Sequence, residues 1–209
     1  ALYMVYVDKT AINFFNVPGW DIDLGAWLYP IFAVFVVIGS SNAINLTDGL
    51  DGLAGGCSFL AFSTLSALCF INDYIGLAIV AAAIAGSCLG FLYFNKFPAK
   101  IFMGDTGSLA LGGALGTLAI LSKNEFWLLF IGIIFIIETL SVIIQVTSFK
   151  TTGKRVFKMS PIHHHFEKMG FHERDVVKSF WVIGIIVYTF WGVTFVCCLA
   201  ALAIRLFVV

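Results

Sequence analysis

From Ile75 to Phe94 the chain runs for 20 residues without a charged side chain, and runs of this kind recur along its whole length. Twenty residues of α-helix rise about 30 Å, the thickness of the hydrocarbon core of a bilayer. In water, a chain of 209 residues built this way would have to hide nearly all of its apolar surface, and a globule of that size exposes too much area to do so. Hydrophobic residues make up 60% of the sequence and charged ones 11%, against about 25% charged in ordinary soluble domains. The expected fold class is an all-α integral membrane protein with the bilayer as its solvent. Formal net charge is zero, so no global field points to nucleic acid as a partner. Cys57, Cys69, Cys88, Cys197 and Cys198 lie in apolar stretches without ligand-like spacing to histidine, and read as small buried hydrophobes.

The apolar pattern predicts about six transmembrane helices. They run over Gly25 to Ser40, extending toward Leu46; Leu53 to Ile71; Ile75 to Phe94; a short span Leu109 to Leu121; Phe126 to Val146; and Phe180 to Val208. Residues 1–23 mix Asp, Asn, Pro and Gly with β-branched and aromatic residues and read as a short extracytoplasmic loop or hairpin ahead of one helical domain, 24–209. Gly112-x-x-x-Gly116 and Gly86-x-x-x-Gly90 are weak packing motifs that allow close backbone approach and leave room for a homodimer.

If the spans alternate, the polar loops 41–52, 95–108 and 147–179 share one side. That side carries Lys96, Lys100, Lys150, Lys154, Arg155, Lys158, Lys168, Arg174 and Lys178, leaving only Lys9, Lys123 and Arg205 elsewhere. Nine cations against three place these loops in the cytoplasm.

The first loop holds Asn42, Asn45, Asp48, Gly49, Leu50, Asp51 and Gly52. Two carboxylates three residues apart face the same way if helical, close enough to share a cation or bracket a ligand. A plainer reading makes Asp48 the N-cap of the second span and Asp51 its N3 residue, which explains neither the asparagines nor the glycines that follow each aspartate. The second loop ends in Gly104-Asp105-Thr106-Gly107-Ser108 at a helix start. There Asp105 serves either as a cap or as a third carboxylate beside free N–H groups, where a phosphate or its Mg²⁺ would sit. In the third loop, Ser160-Pro161 resembles a helix start with serine at the cap and proline at N1, followed by His163, His164 and His165. Adjacent helical residues fan out by about 100°, which disfavours zinc; anion contact beside the neighbouring lysines fits better. Glu138 lies mid-span, with Ser141 and Gln145 continuing a polar stripe, read equally as a functional carboxylate or as interhelical hydrogen bonding.

Taken in order, Asn42 to Gly52, Phe102 to Ser108 and Pro161 to Glu167 resemble the cytoplasmic motifs of the phospho-N-acetylmuramoyl-pentapeptide transferase family, within the polyprenyl-phosphate sugar-1-phosphate transferases. The resemblance implies transfer of phospho-MurNAc-pentapeptide from UDP-MurNAc-pentapeptide to undecaprenyl phosphate, giving lipid I and UMP with Mg²⁺, in the bacterial inner membrane. Carried over position by position, it implies Asp105 as the Mg²⁺ ligand and Asp48, Asp51 and His163 as catalytic residues beside it. It implies Gly49, Leu50, Asp51, Asn95 and Phe102 as a uridine pocket, and Asn42, Asn45, Gln145, His164 and His165 along the rest of the substrate path. The triple histidine points to the muramoyl-pentapeptide branch.

The family also carries an Asp-Asp pair on an earlier cytoplasmic loop, and no such dipeptide occurs in these 209 residues. The expectation is that the pair and about four further spans precede Ala1, so that the chain is the C-terminal portion of a ten-span protein and incomplete as a catalyst by itself. Two competing functions are carried alongside. One is a related transferase using another UDP-sugar such as UDP-GlcNAc; the other is an ion-coupled transporter built on the Glu138 stripe and the glycine-rich short span.

Overall fold

A computed structural model describes residues 11–13 and 21–189. Two three-residue strands, β1 (Ala11–Asn13) and β2 (Asp21–Asp23), pair antiparallel with Ile12 opposite Ile22. Eight helices follow among the described residues: α1 (Gly25–Thr47), α2 (Leu53–Ile71), α3 (Ile75–Asn95), α4 (Gly104–Leu121), the single turn α5 (Leu128–Ile131), α6 (Ile133–Thr152), α7 (Ile162–Lys168) and α8 over residues 173–189.

Four of these helices, α1, α2, α3 and α6, are long and apolar enough to cross a membrane. The molecule is an all-helical, membrane-embedded protein apart from the small β1–β2 pair. The expectation of six spans differs from this in three places. The fourth segment forms the 18-residue helix α4, which starts at Gly104 and carries Asp105 in its first turn, and it is not among the four. The fifth is broken at Gly132 into α5 and α6, and α6 runs on to Thr152 through residues expected in the loop. Most of the sixth, along with Cys197, Cys198 and most of the N-terminal segment 1–23, lies outside the described residues. At the other margin, α1 continues through Ser41–Thr47, also expected in a loop.

The core is organised around α2. Its Leu53, Cys57, Ala61, Leu65 and Cys69 recur every four residues, are buried, and form a seam. Against this seam lies an edge of small residues on α3, Ala78, Ala81, Ala85 and Cys88, which lets the two helices pack closely. Cys57, Cys69 and Cys88 are buried free thiols, in keeping with their reading as small hydrophobes. On the other flank α1 packs along α4. There a Cβ built at Gly112 would run into the backbone of Ser40 and Ser41, and one at Gly116 would lie 3.0 Å from the Val37 Cα. This GxxxG pair therefore sets the distance between two helices, whereas Gly86 and Gly90 face open space among the described residues.

The two ends of the bundle are tied differently. At one end Tyr29 donates to Glu125 Oε1 at 2.5 Å and accepts from Lys123 Nζ at 3.0 Å, while Asn72 donates to Asn124 at 3.2 Å. At the other end the three polar loops meet.

Gly112→Ala is expected to lower the thermal unfolding midpoint of the detergent-solubilised protein, by overpacking of about 1–3 kcal/mol. Gly86→Ala is expected to leave it unchanged or raise it slightly, since a helical glycine gives way to a better helix former. Equal effects at the two positions would contradict the packing described.

Candidate functional site

Neither capping reading of the aspartates survives. Asp48 is the C-cap of α1; the N-cap of α2 is Gly52, at φ 82°, with no side-chain cap. Asp105 is inside the first turn of α4, whose N-cap is Met103, again without a side-chain cap. A carboxylate there gains from the positive end of the helix dipole but leaves its oxygens free for other partners. Likewise the short helix α7 has Pro161, not Ser160, at its N-cap, with Ile162 as the first helical residue.

What the aspartates do instead is link segments far apart in sequence. Asn45, on the last turn of α1, donates to Asp105 Oδ1 at 3.0 Å and to Ser108 Oγ at 2.9 Å. Asp48 receives the backbone N–H of Gly104, which sits at φ 66°, a conformation glycine adopts without a Cβ penalty. Asp48 and Asp105 thus lie close enough across the α1–α4 seam for the charge of one to act on the other. Partial burial pushes the Asp48 carboxyl up to about 6; the Gly104 N–H works against that shift and the neighbouring Asp105 charge adds to it.

Asp51 was expected to share a cation or ligand with Asp48, with Asp105 as the third carboxylate beside them. The Asp51 Oδ2 instead accepts from the Ala99 N–H at 2.8 Å, and among the described residues no group of three or more His, Cys, Asp or Glu side chains could hold a metal ion. Asn95 is buried with both ends of its amide used: Oδ1 accepts from Gly52 N–H at 3.0 Å and Nδ2 donates to the Ile101 carbonyl at 2.9 Å. It therefore acts as a bracket between the first and second loops. Leu50 packs into the main hydrophobic core, so only its backbone is offered to the cleft. Phe102 is 79% exposed and open to stack on a flat ligand. Asn42 is exposed and donates to the Ile38 carbonyl of its own helix at 2.9 Å, without contact to the other loops.

The third loop arrives through the histidines. His163 is fully buried with Nδ1 3.0 Å from Glu138 Oε2, itself fully buried. The Nε2 edge of the imidazole abuts Gly49, where a Cβ would collide with Nε2 and Cε1, so glycine lets the first loop approach it this closely. His164 Nδ1 pairs with Glu167 Oε2 at 2.6 Å, and its ring sits 4.2 Å from that of His163. His165 Nδ1 accepts the Lys158 N–H at 3.0 Å. Gln145 is occupied by the same loop: Oε1 accepts from Val156 and Phe157 N–H at 3.0 and 2.9 Å, and Nε2 donates to the Phe157 carbonyl. Glu138, Ser141 and Gln145 are all buried, with Ser141 donating to the Glu138 carbonyl at 2.6 Å.

Two links were absent from the sequence reading. The Glu138–His163 pair joins two residues that had been singled out separately. Glu173 accepts the Asp51 N–H at 2.7 Å across 122 positions, which no local spacing announces.

This arrangement, a lipid-facing helical bundle with polar loops and paired aspartates gathered at one end, is that of a membrane-embedded transferase, and the chain belongs to glycosyl transferase family 4, whose model matches residues 1–123. The match falls on the N-terminal portion of the chain rather than on its C-terminal part. Among individual proteins, the chain is similar to phospho-N-acetylmuramoyl-pentapeptide-transferases. It is 57% identical over 166 residues to that of Desulforamulus reducens, covering 79% of this chain and 50% of that protein. It is 53% identical over 186 residues to that of Bacillus licheniformis, and 54% identical over 188 residues to that of Bacillus subtilis, covering 88% and 89% of this chain and 57% of each relative. The chain spans about half the length of the curated relatives it matches.

Asn95→Ala is expected to destabilise the protein by about 1–3 kcal/mol, since it strands the Gly52 N–H and the Ile101 carbonyl. Asn95→Asp keeps an acceptor for Gly52 but buries a charge that faces the Ile101 carbonyl, and should fall at least as far as Ala in thermal unfolding at neutral pH. A wild-type midpoint for Asn95→Ala would rule out the bracket.

Proposed function

We propose that this protein transfers phospho-MurNAc-pentapeptide from UDP-MurNAc-pentapeptide to undecaprenyl phosphate, forming lipid I and UMP, at the cytoplasmic face of a bacterial inner membrane. The observation that carries the reading is the juxtaposition of Asp48 and Asp105 where three loops meet, in a chain 50–57% identical over most of its length to relatives bearing that name. Nine of twelve basic residues on the same loops support the cytoplasmic side.

Two carboxyl groups close together in a partly buried site favour a cation between or beside them. Mg²⁺ takes one or two carboxylates together with phosphate oxygens and water, which fits this pair. Asp105, with Asp48 beside it, would hold the ion, and when bound it neutralises diphosphate charge and lowers the repulsion between two anionic substrates.

The remaining work falls to the chain. An oxygen of the lipid phosphate attacks the phosphorus attached to the sugar; the new P–O–P bond forms as the bond to UMP breaks, and UMP carries away the electron pair. The attacking phosphate is already ionised, so no residue has to deprotonate it. Asn45 holds Asp105 in line through its amide, and Gly104 orients Asp48. The exposed ring of Phe102 offers a face for the uracil, and the backbone of Gly49 to Asp51 would supply its polar partners. Of the two neighbouring imidazoles, His165 is held by the Lys158 N–H, and the partly exposed His164 would lie along the path of the sugar phosphate. An apolar cavity of about 500 Å³ between α1 and the α5–α6 break, lined by Phe32, Phe35, Val36, Leu115, Phe135 and Leu140 among others, reaches Ser40 and Ala43 on the helix that also bears Asn45. It is suited to the prenyl tail of the acceptor.

The test is release of UMP from UDP-MurNAc-pentapeptide by the purified protein with undecaprenyl phosphate in detergent. Asp105→Asn is expected to abolish release at every Mg²⁺ concentration tried, and a variant at wild-type rate would overturn the assignment. Turnover with UDP-GlcNAc alone would move the function to a related sugar-1-phosphate transferase.

A further inference from the structure

The turn between α7 and α8 reaches both polar loops at once. Glu173, the first residue of α8, accepts the Asp51 N–H at 2.7 Å through Oε1. On either side of it, the His172 ring meets Phe97 edge-on at 5.3 Å and the Arg174 guanidinium lies over the same Phe97 ring at 5.3 Å. The far end of this contact closes on itself, because Asp51 Oδ2 accepts from Ala99, two residues beyond Phe97. His172, Glu173 and Arg174 therefore hold the first and second loops in one fixed register, with Asp51 at the centre.

The element that carries this turn is rigid. Val176, Val177 and Phe180 of α8 are buried in the main core, Trp181 lies directly against Gly56 of α2, and Phe166 of α7 packs edge-on to Phe180 at 6.2 Å between centroids. His172 caps the helix start, its Nδ1 accepting the Arg174 N–H at 3.2 Å. A side chain projecting from such a platform places its partner within a narrow range, as a positioned site requires.

We infer that Glu173 is a positioning residue for the nucleotide pocket: by holding the Asp51 backbone it directs the Asp51 carboxylate to Ala99 and fixes the stretch Gly49 to Asp51 against the second loop. The inference rests on the proposed function for its substrate but not for its geometry. A carboxylate accepting a backbone N–H can be replaced by an amide oxygen at modest loss, whereas alanine leaves the Asp51 N–H without its acceptor.

The experiment uses the intact protein in nanodiscs as wild type, Glu173→Ala and Glu173→Gln, with two readouts. One is hydrogen exchange of the segments 49–52 and 97–101; the other is kcat and KM for UDP-MurNAc-pentapeptide. Expected for Glu173→Ala are faster exchange in both segments together and a KM raised about tenfold with kcat within about twofold. Glu173→Gln should restore most of each. Unchanged exchange in 97–101, or a loss confined to kcat, would overturn the inference. Should the wild type not turn over this substrate, coupled exchange in the two segments with rescue by Gln still upholds the clamp, while the transferase reading alone fails. A Glu173→Ala protein that does not fold leaves Glu173→Gln and Asp51→Ala to decide: Asp51→Ala, which removes the acceptor of the Ala99 N–H, must loosen 97–101 while Glu173→Gln does not, and the reverse pattern overturns the inference.

Discussion

A single buried amide holds the working end of this molecule together. The Asn95 side chain closes the C-terminal end of α3, takes the N–H of Gly52 at the start of α2 and supports the Ile101 carbonyl in the following loop. In a low-dielectric interior each of these groups would be costly without a partner, so the amide fixes where two loops can lie. With the loops fixed, Asp51 reaches Ala99 and Gly104 reaches Asp48, and Asp48 comes close to Asp105. The paired carboxylates are thus a consequence of backbone satisfaction in the surrounding loops.

The helices supply the frame in which that convergence is possible. Lipid offers no hydrogen bonds and little drive for helices to associate, so close packing of small residues has to hold the bundle. Gly112 and Gly116 bring α4 onto α1, and this same approach carries Asp105 and Ser108 within reach of Asn45. The alanine edge of α3 does the equivalent on α2 and sets Asn95 beneath Gly52. In each case a packing feature in mid-bundle determines a polar contact at its end.

The third loop contributes by burial instead of exposure. His163 and Glu138 face each other out of contact with solvent, and the imidazole supports Gly49 from below. Gln145 and His165 are occupied in holding the chain between Val156 and Lys158, and His164, partly exposed, pairs with Glu167. Residues that share one motif have therefore been divided between scaffold and cleft.

Much of this was legible in the residues alone. Uncharged runs of bilayer length announce spanning helices because charge cannot remain in hydrocarbon, and the gathering of lysines in alternate loops announces which ends lie together. The Asn, Asp and Gly clusters stood out as candidate groups, since no helical core needs them. Their partners were not legible: an Asp three residues from another could as well have shared a cation as turned away, and Asp51 turns away because the Ala99 N–H is there to receive it. Helix ends were misjudged for a related reason. Ser41 to Thr47 and Thr147 to Thr152 are polar enough to read as loop, yet they remain helical because α1 and α6 extend past the apolar stretch toward the polar end of the bundle. The sequence by itself determined the solvent, the helical class and the candidate groups, because these follow from local composition. Only the tertiary structure decided which carboxylates meet, which histidine is buried and that Glu173 holds Asp51, because each depends on contacts between segments dozens of residues apart.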